Sequence, residues 1–212
     1  MVANTPALKL LNFLRNIRKS IDRIQSICYN NKRKEHIQDI QEVTNMSTRS
    51  RIGMYIGNNT TISVYEHYDG YLKGVGAILK LYYSDADKIE ELISGGDLSS
   101  ISKFIGEKHD FDNRPDGWCT FYKRDCGEDG VDAVEMSLDD LAKAEEYNYL
   151  WDGKKWLYSK GYVCDGWHVL TDKECGITTK DKEQAKKEIA EQKNKEFNIM
   201  MYDALHNDIY FH

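Results

Sequence analysis

Apolar and polar positions alternate through residues 60–68, with Ile62, Val64 and Glu66 on one face and Thr61, Ser63, Tyr65 and His67 on the other. A period of two in β-branched and aromatic residues predicts a strand. A shorter apolar run over residues 51–56 precedes it. Gly57, Asn58 and Asn59 separate the two runs and tolerate the positive φ of a tight turn, so the pair reads as a β-hairpin. The period then changes. Val75, Ile78, Leu79 and Tyr82 recur three and four apart, which places them on one helical face. Ser84 and Asp85 offer a cap for a second helix with Ile89, Leu92 and Ile93 inward, and Gly95 and Gly96 stop it. Residues 97–100 are expected to resume the chain in a turn.

The pattern continues less regularly. Residues 101–116 read as a loop or short helical turn, closed by the turn residues Arg114, Pro115, Asp116 and Gly117. WCTFYK at 118–123 has strand composition. Residues 126–130 turn the chain, and the alternation at 131–136 is expected to pair back. Two aromatic runs in EYNYLWDGKKWLY, residues 146–158, flank the hairpin signal Asp152-Gly153. Residues 161–170 are a further strand candidate. These aromatics suit the core and cross-strand pairs of a small sheet, with a floor for a base or nucleotide as the sharper alternative. From Thr179 a helix of about 25 residues is predicted, capped by Thr179 or Asp181. Its charged first half is expected to face solvent. Its second half is expected to dock through Phe197, Met200, Met201, Ala204 and Leu205.

Residues 1–45 read as a basic helical arm. Leu8, Leu11, Phe13, Leu14, Ile17, Ile21, Ile24 and Ile27 form an apolar stripe, and residues 1–34 hold eight bases against one acid, a local charge of +7. An anionic membrane, nucleic acid, a partner helix and packing on this chain or a second copy compete to explain the arm. The resulting expectation is an α+β protein: a small, mostly antiparallel sheet, two short helices after the first hairpin, a long C-terminal helix and an N-terminal helical arm. The expected domains are 1–45 for the arm, 46–178 for the core and 179–212 for the C-terminal helix packed on it.

Residues 48–100 carry, in order, T-R-S-x-I-G, Y-x-H-x-D-G-Y, G-V-G-x-x-L, Y-x-D-x-x-K and L-I-x-x-G-D-L-S-S. They run from Thr48, Arg49 and Ser50 through Tyr65, His67, Asp69, Gly70 and Tyr71 to Gly74, Gly76, Asp85, Lys88 and Ser100. This set, about a quarter of the chain, resembles a family of small proteins from tailed bacteriophages and prophages. The resemblance implies a phage origin and carries no activity with it. The basic arm before Met46 is not part of the family pattern.

Composition narrows the classes. No run approaches the ~20 apolar residues of a membrane span, and Lys9, Arg15, Arg18 and Lys19 interrupt any signal-peptide core. The expected location is the cytoplasm of a bacterial host. Cys28, Cys119, Cys126, Cys164 and Cys175 are odd in number and widely spaced, which fits separate thiols in a reducing compartment. A zinc site from the last four with His168 departs from the usual ligand spacings, so no metal and no cofactor are expected.

Candidate chemistry is sparse. His67 and Asp69 sit two apart, and on a strand their side chains would share a face as an acid–base pair requires. No partner nucleophile accompanies them, and Asp69-Gly70 is also an ordinary turn starter. Gly74-x-Gly76 before a helix could offer N–H groups to an anion, or mark tight packing. Arg49 and Arg51 could hold a phosphate or carboxylate, or pair with nearby acids. The candidate binding set is therefore Arg49, Arg51, His67, Asp69, Tyr71, Gly74 and Gly76, with no catalytic residue assigned. A second candidate surface is acidic: Glu128, Asp129, Asp132, Glu135, Asp139 and Asp140 lie in a stretch with one base, Lys143. Residues 46–212 hold 21 bases and 31 acids, a charge of −10, which suits a solvated face or a surface that imitates DNA phosphates.

The pattern favours binding over catalysis. The leading expectation is a phage accessory protein that inhibits or titrates a component of host defence. The alternatives are an acidic DNA mimic against a nucleic-acid enzyme, a virion or assembly component, and a small enzyme using His67 and Asp69. Expected partners are a host or phage protein and a second copy engaged through the arm, with direct nucleic-acid contact confined to residues 1–34.

Overall fold

The first hairpin organises the sheet. β1 (Ser50–Gly57) and β2 (Thr60–Glu66) pair antiparallel, and Asn58 and Asn59 turn between them at φ of 50° and 60°. The computed structural model describes residues 47–163 and 166–207. The expected arm at 1–45, with Cys28, and also Cys164 lie outside the described residues.

After β2 the chain turns through Asp69 and enters a π-helical turn, Leu72–Gly76. It continues into α1 (Ala77–Tyr82) and α2 (Ala86–Ser94). Asp85 caps α2 by accepting from the Asp87 N–H. Gly96 supplies the left-handed residue at φ 82°, whereas Gly95 is there for space, since a Cβ on it would meet the Phe121 ring at 2.4 Å. The chain then forms β3 (Leu98–Ser100), where a turn was expected, because Leu98 registers with Glu66 of β2.

Only Thr120–Phe121 of the predicted WCTFYK strand forms a strand, β4, paired with β3. It stops because the Phe121 N–H goes to Asp125 Oδ2 at 2.8 Å, and Tyr122–Cys126 winds into a second π-helical turn. Arg124 and Asp125 then fasten the preceding loop. Arg124 forks onto Asp125 and donates to the Ile105, Gly106 and Cys119 carbonyls, while Asp125 accepts the His109 N–H. β5 (Val134–Ser137) does not pair back onto β4 as expected. It lies antiparallel to the first half of β2. β3 takes the other end of β2, and the Asp97 carboxylate fills the gap by accepting the Tyr65 N–H at 2.7 Å.

α3 (Leu138–Leu141) leads to the second hairpin, β6 (Tyr147–Trp151) and β7 (Trp156–Lys160). Its turn uses Gly153 at φ 94°, with Asp152 Oδ1 accepting the Lys154 and Lys155 N–H groups. Among the described residues of the predicted strand at 161–170, β8 (His168–Val169) is the part that forms. β6 runs parallel to β1, so the two hairpins join into one mixed sheet of order β4-β3-β2-β1-β6-β7-β8, with β5 beside β2. Among the described residues five of its pairings are antiparallel and two are parallel. The α+β class and the two helices after the first hairpin stand as expected.

One sheet face is apolar. Ile52, Val64, Tyr149, Trp151, Trp156 and Tyr158 share a core with Val75, Leu79, Ile89, Leu92 and Ile93 from the helical layer. The aromatics of the second hairpin are therefore core. Tyr149 donates to the Gly70 carbonyl and Trp156 Nε1 to the Tyr83 carbonyl. The opposite face is polar yet buried at Thr61, Ser63, Asn148 and Ser159, and residues 134–145 cover it.

α4 (Asp172–Cys175) precedes α5 (Thr179–Asn207). Thr178 and Asp181 close a reciprocal box at the start of α5: the Asp181 carboxylate accepts the Thr178 N–H, and Thr178 Oγ1 accepts the Asp181 N–H. The docked half of α5 is the reverse of the expectation. Ala185 is buried and Glu188 accepts from Tyr82 and Lys103, whereas Phe197, Met200 and Met201 are exposed; the side chains of Ala204 and Leu205 lie outside the described residues. Helical phase accounts for two of the three: at ~100° per residue, Phe197 and Met201 lie about 120° and 160° around the helix from Ala185, whereas Met200 lies about 60° from it and is exposed all the same.

Candidate functional site

The polar face ends, on the Ser50 side, in a two-by-two box. In the antiparallel register Arg51 stands opposite Tyr65 and Ser50 opposite Glu66, so Arg49 falls beside His67. Side chains two apart share a face. The pleat therefore presents Arg49, Arg51, Tyr65 and His67 together, on the face away from the helices. On the other flank Arg51 registers with Asn148 of β6, and the Arg49 N–H donates to Glu146 Oε1.

The box is wired internally. The Tyr65 hydroxyl lies 2.8 Å from His67 Nδ1, and Ser47 Oγ lies 3.4 Å from His67 Nε2. Burial pushes the Tyr65 hydroxyl up to about 12, with Arg49 pulling the other way. Burial, then Arg49, holds the His67 imidazole below its ordinary value, so it is neutral at pH 7. The Tyr68 ring meets His67 edge-on at 4.5 Å.

Arg51 is the tense member. Burial lowers its pKa, while Asp97 and Glu145 act electrostatically in the opposite sense. Its Nη1 is buried with no hydrogen-bond partner. Asp97 already accepts the Tyr65 N–H. The Glu145 carboxyl is itself raised by burial, against the pull of Arg51 and Arg49. A buried guanidinium donor without an acceptor is costly, and an anionic oxygen reaching it would remove that cost. Arg49 is exposed at the rim. Beside it lies a small hollow of about 140 Å³ walled by Glu145, Glu146, Gly161 and Tyr162.

Asp69 does not join the box. β2 ends at Glu66, and Asp69 takes φ 60°, so the strand geometry that would align it with His67 stops short of it. Its carbonyl instead accepts the Val75 N–H. Tyr71 is exposed, and its carbonyl accepts the Gly74 and Gly76 N–H groups. Those amides are used inside the π-helical turn. Both glycines answer to packing: a Cβ on Gly74 would meet the Asp69 carbonyl, and one on Gly76 the Tyr149 ring at 3.3 Å.

Beneath the box, on the apolar face, Glu66 is fully buried. Its carboxyl accepts from Ser50 Oγ at 2.9 Å and from the Tyr68 N–H at 3.1 Å, and burial pushes it up to about 8. The alternation of residues 60–68 already places Glu66 inward and Tyr65 beside His67. Nothing local signals Asp97 or Glu145, which arrive through long-range pairing.

The six acids Glu128, Asp129, Asp132, Glu135, Asp139 and Asp140 are all exposed. They occupy the turn before β5, β5 itself and the first turn of α3. Asp132 pairs with Lys123, and Asp140 accepts from Ser137. Cys119 is buried against Tyr83 and Ser102, Cys175 is buried in α4, and Cys126 is exposed. Among the described residues no group of three metal-ligating side chains comes together, and no helix is long and apolar enough to cross a membrane.

No protein-family model, curated protein or solved structure matches the chain.

Proposed function

We propose that this is a binding protein whose recognition face is the box of Arg49, Arg51, Tyr65 and His67, and that the group it recognises is anionic, a phosphate or a carboxylate. The single observation that carries this reading is the buried Arg51 Nη1 without an acceptor, beside a second, exposed guanidinium. Two arginines and a hydroxyl on one pleated face supply converging donors to oxygen. The motif set of residues 48–100 resembles tailed-phage proteins. With it, the reading becomes a phage accessory protein in the host cytoplasm that captures a component of host defence. The fit of His67 is to positioning: its nitrogens hold Tyr65 and Ser47, and Asp69 faces elsewhere.

The test is affinity purification of the tagged chain from infected cells, with mass spectrometry of bound proteins and bound small molecules. One host protein or one phosphorylated small molecule in fixed ratio supports the proposal. Phage structural proteins alone would move the chain to virion assembly.

The exposure of all six acids around β5 favours a second reading, a surface that imitates DNA phosphates. A captured nuclease released by Asp139→Asn plus Asp140→Asn, and not by changes at Arg49 and Arg51, would select it.

A further inference from the structure

The recognition face and the hollow beside it lack opposite things. Arg51 Nη1 is a buried donor without an acceptor. Glu145 is the converse. It bonds to Asn148 through its main chain, and among the described residues its half-buried carboxyl accepts no hydrogen bond. Burial raises that carboxyl, as it does an anion short of donors. The Glu146 carboxylate already takes the Arg49 N–H. The Glu145 charge acts on Arg51, Tyr65 and Tyr162 alike, so its carboxyl stands between the box and the hollow. Arg49 belongs to both, as a corner of the box and a wall of the hollow. Tyr162, another wall, is 82% exposed. At about 140 Å³ the hollow is well below the ~300–1,000 Å³ that encloses a whole small ligand. It admits one ring system of a longer molecule whose remainder lies on the open face.

We propose that the ligand of this face is a guanine nucleotide, with its base on Tyr162 in the hollow, the Watson–Crick edge of the base on the Glu145 carboxylate, and its phosphate on Arg49 and Arg51. The assignment rests on the anion reading of the face and names the ligand class. An ionised carboxylate accepts and never donates. Guanine presents two adjacent N–H donors on its pairing edge, whereas adenine and cytosine set a lone pair beside their one amino group and uracil flanks its N–H with carbonyls. Guanine alone therefore meets both carboxylate oxygens without repulsion. Every base has a π face for a tyrosine, so the carboxylate and not the ring sets the choice. The acids of the hollow repel a bare anion, which keeps the phosphate at the arginine end. One molecule then supplies an acceptor to Arg51 and donors to Glu145, which neither inorganic phosphate nor a simple carboxylic acid does.

The experiment is titration calorimetry of the full chain with GMP, AMP and inorganic phosphate, at a temperature below the melt of every variant used. GMP is expected to bind at least about five-fold tighter than AMP, the low end for one bidentate base contact, and tighter than inorganic phosphate. Tyr162→Ala, a change in solvent, is expected to weaken GMP at least about five-fold, the low end for one stacked base. Glu145→Gln is expected to remove the preference for GMP over AMP. AMP or inorganic phosphate bound as tightly as GMP overturns the guanine assignment and leaves the anion face standing. Absence of GMP binding up to ~1 mM overturns it as well, and a protein captured through Arg49 and Arg51 then carries the anion reading alone. GMP binding undiminished by Arg49→Ser plus Arg51→Ser overturns the anion reading, and the assignment with it.

Discussion

The two faces of the sheet solve burial in opposite ways. On the helix side, Ile52, Val64, Tyr149 and Tyr158 meet Leu79, Ile89 and Leu92, and apolar area removed from water does the work. On the other side, Thr61, Ser63, Asn148 and Ser159 are just as inaccessible, and each is satisfied by a main-chain carbonyl of residues 134–145. Polar burial of that kind holds only while every donor has its acceptor. Toward the Ser50 end the covering segment runs out, and Arg51 is the donor left over. The apolar face makes the fold; the polar face, at its unsatisfied donor, carries the proposed site.

The largest expected effect breaks the apolar face. Leu79→Ala should cost about 2–5 kcal/mol in urea unfolding, because a fully buried side chain leaves a cavity behind. On the polar face, Asn148→Ala should cost about 1–3 kcal/mol. It strands the Glu145 N–H and takes the Asn148 donor from the Glu145 carbonyl, while the Ala142 carbonyl keeps Ser159. A loss below ~0.5 kcal/mol there would show that the polar face is not held by its hydrogen bonds.

Glu66 sharpens the contrast as a carboxyl on the apolar side. Its folded-state pKa is raised from 4.5 to about 8, so the fold keeps a proton that the unfolded chain has released. Stability should therefore fall as pH rises from about 4.5 to about 8, by up to ~1.4 kcal/mol per pH unit, and level off above. Glu66→Gln should flatten that slope in denaturant melts at pH 5, 6.5 and 8. An unchanged slope would assign the titration to another group.

The smallest effect is at Gly53, where a Cβ would meet Leu141 Cδ2 at 2.7 Å. Leu141 is fully buried and Ser63 Cβ would stand 3.3 Å away, so both must give slightly and Gly53→Ala should cost about 1 kcal/mol, the low end for overpacking. A larger loss in the same urea melts would mean that α3 is seated on β1 more rigidly than its single turn implies.

The sequence made the local elements legible and the joins illegible. The hairpin at 57–59, the Asp85 cap and the second hairpin follow from turn chemistry and period, which are written in neighbouring residues. The parallel pairing of β1 with β6 and the docking of β5 on β2 are long-range, and no local pattern encodes them. WCTFYK has strand composition, yet the Asp125 side chain takes the Phe121 N–H and ends the ladder. Arg49, Arg51 and His67 were readable as candidates, and the register brings them together. Asp69 was grouped with His67 on strand geometry that ends three residues earlier. The apolar end of α5 was assigned to the core because a stripe on one helix does not say which way that helix is rotated.

Arg49 and Arg51 are the proposed recognition face. The most direct measurement repeats the affinity purification from infected cells with Arg49→Ser plus Arg51→Ser beside the wild type. The double variant removes the countercharge of the half-buried Asp97 and Glu145 and should melt lower than the wild type, so capture is compared at a temperature below both melts. The wild type is expected to capture a partner in fixed ratio and the double variant to lose at least nine-tenths of it. Equal capture by the two proteins, or no partner for the wild type, would contradict it.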